Sequence, residues 1–240
     1  MKKHILQWAL LAALAGSASG KEGDIIDWSA FAPDVPPPAM TPDFVFRAPP
    51  DTARIVTKGS TPQDPFTDSE ACLWVDVDYS DPQSQVLVAC RAFSDEAKNA
   101  GFFEFKFHLA EGGIGFQIGQ NSEPSNLVFT VGADSYWASR FVVDEPISIA
   151  GQQLRTDSLE VLAANQTYTL RFEWDFKSDQ PGFRIFLNGE PCRALATGDE
   201  YIHRATELQT TKGVDSFELL PANGSISKFF IGNISAGDKL

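Results

Sequence analysis

Between Gln166 and Glu190 the chain alternates with a period of two. Tyr168, Leu170, Phe172, Trp174 and Phe176 fall on one side, and Arg171, Glu173 and Asp175 on the other. That is the pattern of a strand with one face in a core and one in water. The polar stretch K-S-D-Q-P-G breaks it. A second run follows, Phe183, Ile185 and Leu187 against Arg184 and Phe186, and stops at Asn188-Gly189. Asn-Gly supplies the positive φ angles of a tight turn. Two long antiparallel strands with a sharp exit are predicted here.

The same period recurs elsewhere. In F-F-E-F-K-F-H-L, Phe103, Phe105, Phe107 and Leu109 face in while Glu104, Lys106 and His108 face out. Further strands are predicted over 71–79, 85–93, 127–131, 135–143, 217–220 and 228–234, and another begins at I-G-F-Q-I-G after the Gly112-Gly113 turn. Residues 144–165 read as a loop with one helical turn near Asp157 to Leu162, and 193–215 as a polar stretch with a short helix near Tyr201 to Leu208. Short strands punctuated by turns, without long 3.6-residue periods, predict an all-β domain of two packed antiparallel sheets.

Two segments precede that domain. Residues 1–20 begin with a short basic head, continue as an apolar run from Ile5 to Gly16 broken by Gln7, and end in small residues. This is the build of a secretory signal peptide, and the run is short for a membrane span. Residues 21–65 are Pro-rich, yet carry Trp28, Phe31, Phe44 and Phe46, so part of this stretch is expected to dock as an edge strand. The all-β sandwich domain is then 66–240. Export makes the protein secreted, periplasmic or held at the cell surface, with no membrane span once the signal is cleaved.

Composition narrows the partners. The 240 residues carry a formal net charge of -13, which repels phosphate backbones and argues against nucleic acid. Three cysteines allow at most one internal bridge. If strands 71–79 and 85–93 form a hairpin bent near Asp81-Pro82, Cys72 and Cys90 face each other within disulfide reach and Cys192 stays free. The other reading is a pair of buried free thiols.

The strings Y-T-L-R-F-E-W-D-F, G-F-R-I-F-L-N-G-E and F-F-I-G-N-I, in that order, resemble the concanavalin A-like lectin/glucanase superfamily, in particular its bacterial laminin G-like jelly-roll domains. The resemblance implies an all-β, two-sheet antiparallel jelly-roll sandwich whose concave face and rim loops often hold sugars. It spans lectin-like modules, glycoside hydrolases and polysaccharide lyases, so it does not choose among them.

The residues themselves weigh against the enzymes. A retaining hydrolase needs two carboxylates about 5 Å apart, in this superfamily as E-x-D-x-x-E. Glu173 and Asp175 match the first two positions, but residue 178 is Ser. The parts of a lyase site, His108, Gln117, Tyr201, His203 and Arg204, are scattered without a linking motif. No cofactor is required. Asp68 and Glu70, or Asp76 and Asp78 with Asp81, offer hard oxygen ligands that leave room for Ca2+. Exposed aromatics stack on pyranose faces, and charged or amide groups bond their hydroxyls. The candidate ligand-binding residues are therefore Tyr136, Trp137 and Arg140 on a rim, with Glu104, Lys106, His108, Arg171, Glu173 and Asp175 on the polar side of the two best strands. The expectation is an exported, non-catalytic sandwich module for a glycan or cell-surface ligand. A carbohydrate-active enzyme of the same fold and a structural envelope protein are the alternatives.

Overall fold

The computed structural model describes residues 23–39, 44–78, 87–91, 97–119, 135–149, 151–205, 213–221 and 226–238. The early strands are β1 (Gly23–Ile26), β2 (Phe44–Arg47), β3 (Ala53–Thr57), β4 (Ala71–Asp78), β5 (Leu87–Arg91) and β6 (Ala100–Glu111). The middle of the chain gives β7 (Gly113–Gly119), β8 (Ser135–Val142), β9 (Ile147–Ile149), β10 (Gln152–Arg155) and β11 (Gln166–Asp175). The remainder supplies β12 (Gly182–Leu187), β13 (Glu190–Pro191), β14 (Arg193–Ala194), β15 (His203–Arg204), β16 (Ser216–Pro221) and β17 (Ile226–Gly237).

These strands form two antiparallel sheets. Sheet A runs β13-β12-β11-β6-β17-β4-β3, with β1 added on β17 and β15 on β12. Sheet B runs β14-β10-β9-β8-β7-β16-β5-β2. The fold is the two-sheet antiparallel jelly-roll sandwich. The alternation along β6 and β11 explains the layering: Phe103, Phe105, Phe107 and Leu109 share their buried side with Tyr168, Leu170, Phe172 and Trp174. Aromatic contacts then cross between the sheets. Phe103 meets Phe217 at 4.6 Å between ring centroids, Phe107 meets Phe141 at 5.8 Å, and Phe172 meets Phe116 edge-on at 5.7 Å. Burial of this size, at about 25 cal/mol per Å2 of apolar surface, is the main force holding the layers together. The turn after β12 follows the sequence reading, with Asn188 and Gly189 both at positive φ.

The Pro-rich stretch supplies three strands. β1 pairs with β17, β2 with β5 and β3 with β4. Trp28, fully buried, anchors it: the indole Nε1 donates to the Gly232 carbonyl at 2.8 Å, and the Trp28 amide donates to Asn233 Oδ1 at 3.1 Å. Gly232 and Asn233 lie in an irregularity of the β17–β6 register between Ile231 and Ile234, so the backbone there is free to receive the indole. The free edge of β3 is covered as well, since Ile55 exchanges backbone hydrogen bonds with Asp34 and Val35.

Several expectations differ. The hairpin between 71–79 and 85–93 does not form: β4 pairs with β17 and β3 in sheet A, whereas β5 pairs with β16 and β2 in sheet B. Cys72 and Cys90 therefore belong to opposite layers, and Cys72 is a buried free thiol, as is Cys192. Alternation identifies a strand but not its partner, and a sandwich connection that changes sheets leaves the same trace as a hairpin. Cys72 instead joins Val56, Phe66 and Phe230 in a second apolar cluster on the outer side of sheet A, with Trp74 packed against it. The loop predicted over 144–165 contains the β9–β10 hairpin around Gly151 at positive φ. Its three-residue strand was too short to show a period, and no helix forms at Asp157 to Leu162. Residues 201–205 are extended rather than helical, while 206–208, the predicted strand 127–131 and the leader 1–20 lie outside the described residues.

Replacing Trp28 by Ala removes a buried indole and its hydrogen bond. We expect a loss of about 3–5 kcal/mol in urea unfolding, with the N-terminal segment becoming sensitive to protease before the rest of the chain.

Candidate functional site

The outer face of sheet A gathers six of the predicted residues. Glu104, Lys106 and His108 alternate along β6, and Arg171, Glu173 and Asp175 along β11. The register sets Arg171 beside Glu104, Thr169 beside Lys106 and Thr167 beside His108. Across β12, Glu173 pairs with Arg184.

Most of these groups bond one another. Glu173 is buried and holds two guanidinium groups. Arg171 Nε donates to its Oε1 at 2.7 Å, and Arg184 Nε to its Oε2 at 2.8 Å. Arg171 also reaches Glu104 at 3.4 Å, and Arg184 reaches Glu200 at 4.0 Å, so a row of alternating charge crosses the sheet. The Arg171 guanidinium lies 3.7 Å above the Phe102 ring, an outward-facing phenyl that it covers. Phe102 can lie flat there because Gly237 leaves the space a Cβ would take. Asp175 caps the following turn, accepting from the amides of Lys177 and Ser178 at 2.9 and 3.1 Å. The two acids that match the start of the hydrolase motif thus have an ion-pairing and a turn-capping role.

A second row runs Trp74, Phe230, His108, Thr167 over β4, β17, β6 and β11. His108 Nδ1 is 3.0 Å from Thr167 Oγ1, its ring meets Phe230 edge-on at 5.6 Å, and burial lowers its pKa. Between the two rows lies a cavity of about 230 Å3. Glu104, Lys106, Thr169, Ser69 and Asn233 line it, with Phe66 at its side. Asn233 is fixed in place, donating to Asp24 and Asp27 at 3.1 and 3.3 Å while accepting from Trp28. Lys106 pairs with Asp68 and holds that carboxyl below its usual range.

The remaining candidates are placed differently. Tyr136, Trp137 and Arg140 lie on β8 in sheet B, away from the other six; Trp137 stands opposite Ile118 and Arg140 opposite Gly115 in the backbone register. The parts of a lyase site are divided between layers, with His108 in sheet A and Gln117 in sheet B. Tyr201 and His203 do meet, hydroxyl to Nδ1 at 3.3 Å, beside Phe183. Among the described residues no three His, Cys, Asp or Glu come together to hold a metal ion, and Asp81 is not among them. Both described thiols are unreactive by burial: Cys192 is pushed up to about 12, and Cys72 is raised further by burial and then by the Asp64 carboxylate.

Two features escaped the sequence reading. Asn233 and Thr169 came to the cavity through the β17 irregularity and the β11 register, neither of which leaves a composition signal. Glu218, on β16, is 5% exposed and pushed up to about 7 by burial, with no hydrogen bond to its Oε2. Its place between Phe217 and Leu219 identifies it as outward-facing but gives no hint that it is buried.

No protein-family model matches the chain, and no curated protein matches it. Among solved structures it is similar to the T. cruzi calreticulin globular domain, at 14% identity and a TM-score of 0.48 over 82% of this chain and 84% of that one. It is also similar to the cellulose induced protein Cip1 (10%, TM-score 0.49, 82% and 91% covered) and to the lectin UEA-II complexed with galactose (14%, 0.47, 88% and 96%). Identities of this size leave ligand and activity to be argued from the chain's own residues.

Glu173→Gln leaves two guanidinium groups facing a neutral amide. It should cost about 1–3 kcal/mol in chemical denaturation, and Arg184→Ala in the same background should cost less than it does in the parent. Glu218 gives a pH signature of the opposite sign to that of an ion-paired carboxylate. Its folded value, about 7, lies above the ordinary 4.5, so its contribution to stability is complete below 4.5 and lost as pH rises to 7. Unfolding midpoints measured across that window should fall with pH in the parent and flatten in Glu218→Gln.

Proposed function

We propose that this chain is an exported, non-catalytic β-sandwich module that binds carbohydrate on the outer face of sheet A. The observation that carries the reading is the cavity of about 230 Å3 between the two rows. Its rim offers a carboxylate from Glu104, an ammonium from Lys106, hydroxyls from Thr169 and Ser69 and an oriented amide from Asn233. A pyranose presents hydroxyls that each donate and accept, and a mixed set of this kind can answer both demands at once. The neighbouring Phe66 adds an apolar side for C–H groups. Several of these groups are fixed by the fold before any ligand arrives, which lowers the entropic cost of binding. Export rests on the basic-apolar-small pattern of residues 1–20.

A hydrolase at this face is the less favoured reading, because Glu173 is bonded to Arg171 and Arg184 and Asp175 to backbone amides. A general acid or base needs a carboxylate within reach of substrate.

Glycan-array binding of the mature chain, run beside an assay for released reducing ends, tests both readings. We expect binding without turnover. Lys106→Ala combined with Thr169→Tyr, which removes the ammonium and fills the cavity, should weaken binding at least tenfold, about 1.4 kcal/mol, at an unchanged unfolding midpoint. Release of sugar would support the enzyme, and silence in both assays a structural role.

A further inference from the structure

A second cavity, of about 410 Å3, lies where β11 and β12 meet the turn that joins them. Outward-facing Glu173, Asp175 and Arg184 line it, so it opens on the same side of sheet A as the first. Its size falls within the range of about 300–1,000 Å3 found for small-molecule sites. Gly182 lines it without a side chain, and none fits there. A Cβ at 182 would come within 2.6 Å of the His203 carbonyl oxygen and 2.9 Å of Ile202 Cγ2. Ile202, 39% exposed, adds an apolar wall. On the turn, Ser178, Asp179 and Gln180 complete the lining. Asp179 and Gln180 are exposed, and their side chains bond no other described residue. The backbone that carries them is held in place, because Asp175 accepts from the amides of Lys177 and Ser178.

The two cavities are joined through one side chain. Glu104 lines the first and Glu173 the second. Arg171 bonds both, through Nη1 to Glu104 at 3.4 Å and through Nε to Glu173 at 2.7 Å. Nη2 takes part in neither bond and is left for another acceptor. The strand sets the spacing. Thr169 lines the first cavity, Arg171 stands at the boundary, and Glu173 and Asp175 line the second, all outward on β11. At about 3.3 Å per residue, Thr169 and Asp175 are roughly 20 Å apart. A single sugar ring cannot reach across that distance, whereas a chain of several rings can.

We propose that the two cavities are subsites of one groove, which takes a linear oligosaccharide without acidic groups, lying across β6, β11 and β12. This rests on the carbohydrate reading of the first cavity and extends it from one sugar to a chain. One end of the chain sits against Lys106, Thr169 and Asn233, the middle passes over Arg171, and the other end reaches Gln180 and Ile202. Once the first subsite is filled, contact with the second is intramolecular, so affinity rises with length. Carboxylates stand at both ends, Asp24 and Glu104 at the first cavity and Asp179 at the second. With a net charge of -13 on the whole chain, they disfavour an acidic ligand.

The test is calorimetric titration of the mature chain with the disaccharide, tetrasaccharide and hexasaccharide of three linear series: a neutral β-glucan, a glucosamine oligomer and a uronate oligomer. Each is run in the parent, in the Gln180→Ala, Ile202→Ala pair, in Ser178→Tyr, which fills the second cavity, and in the double variant of the first. In a series without acidic groups, the hexasaccharide should bind at least about tenfold tighter than the disaccharide. The paired truncation and Ser178→Tyr should each bring that ratio down to about twofold and leave the disaccharide constant unchanged. The double variant of the first cavity should weaken binding at every length. Equal affinity for disaccharide and hexasaccharide overturns the groove and leaves the single-cavity reading standing. The groove is also overturned by a length dependence that survives both second-cavity variants, or by one confined to the uronates. No binding by any series at any length overturns the groove and the carbohydrate reading together. Unfolding midpoints taken alongside distinguish loss of a subsite from loss of the fold.

Discussion

The structure depends on one arrangement: β6 and β11 run side by side with Phe103, Phe105, Phe107, Tyr168, Phe172 and Trp174 on one face. Phe103, Phe105, Phe107, Phe172 and Trp174 cannot be left in water, so sheet B has to cover them, and it does so with rings of its own on β7, β8 and β16. The two-period alternation then forces the intervening residues outward. Glu104, Lys106, Arg171 and Glu173 share a face because their neighbours share a core. A change of register by one residue on either strand would invert both faces at once, which makes this pairing the most constrained element of the molecule.

Having been brought together, the outward residues organise each other. Glu173 is held between two arginines, and one of those arginines shields Phe102. Ion pairs at a half-exposed surface contribute modestly to stability; here their clearer effect is to hold long side chains in single orientations around a cavity. The second apolar cluster, with Phe66, Cys72 and Phe230, covers the other part of the face. What remains open is a small polar gap bounded on one side by charge and on the other by aromatic rings.

The sequence revealed a great deal of this and missed particular things for physical reasons. The strands at 166–175 and 182–187, the exit from the second at Asn188-Gly189 and the outward set on β6 were all readable, because period and turn chemistry are local. The partner of β4 was not, since pairing is decided by which apolar surfaces meet across tens of residues. Cys72 was misplaced by the same gap. The cavity depended on an irregularity at Gly232-Asn233, two ordinary residues whose role appears only when Trp28 is seen bonded to them. Glu218 looked like any solvated acid in a strand. Alternation gives direction, whereas burial depends on what the rest of the chain lays over a position.

The attachment of Trp28 to Gly232 also bears on how the molecule is made. β17 follows β1 along the chain, and the positions they pair are separated by about two hundred residues. During synthesis the indole has nowhere to go, and the open flank of β17 does not yet exist. Closure of sheet A over β1 therefore waits until β17 has been made, and long-range pairing of this kind is slow. Until then the early strands have to be kept from one another's company, which makes this a chain suited to chaperoned handling while it is still unfinished.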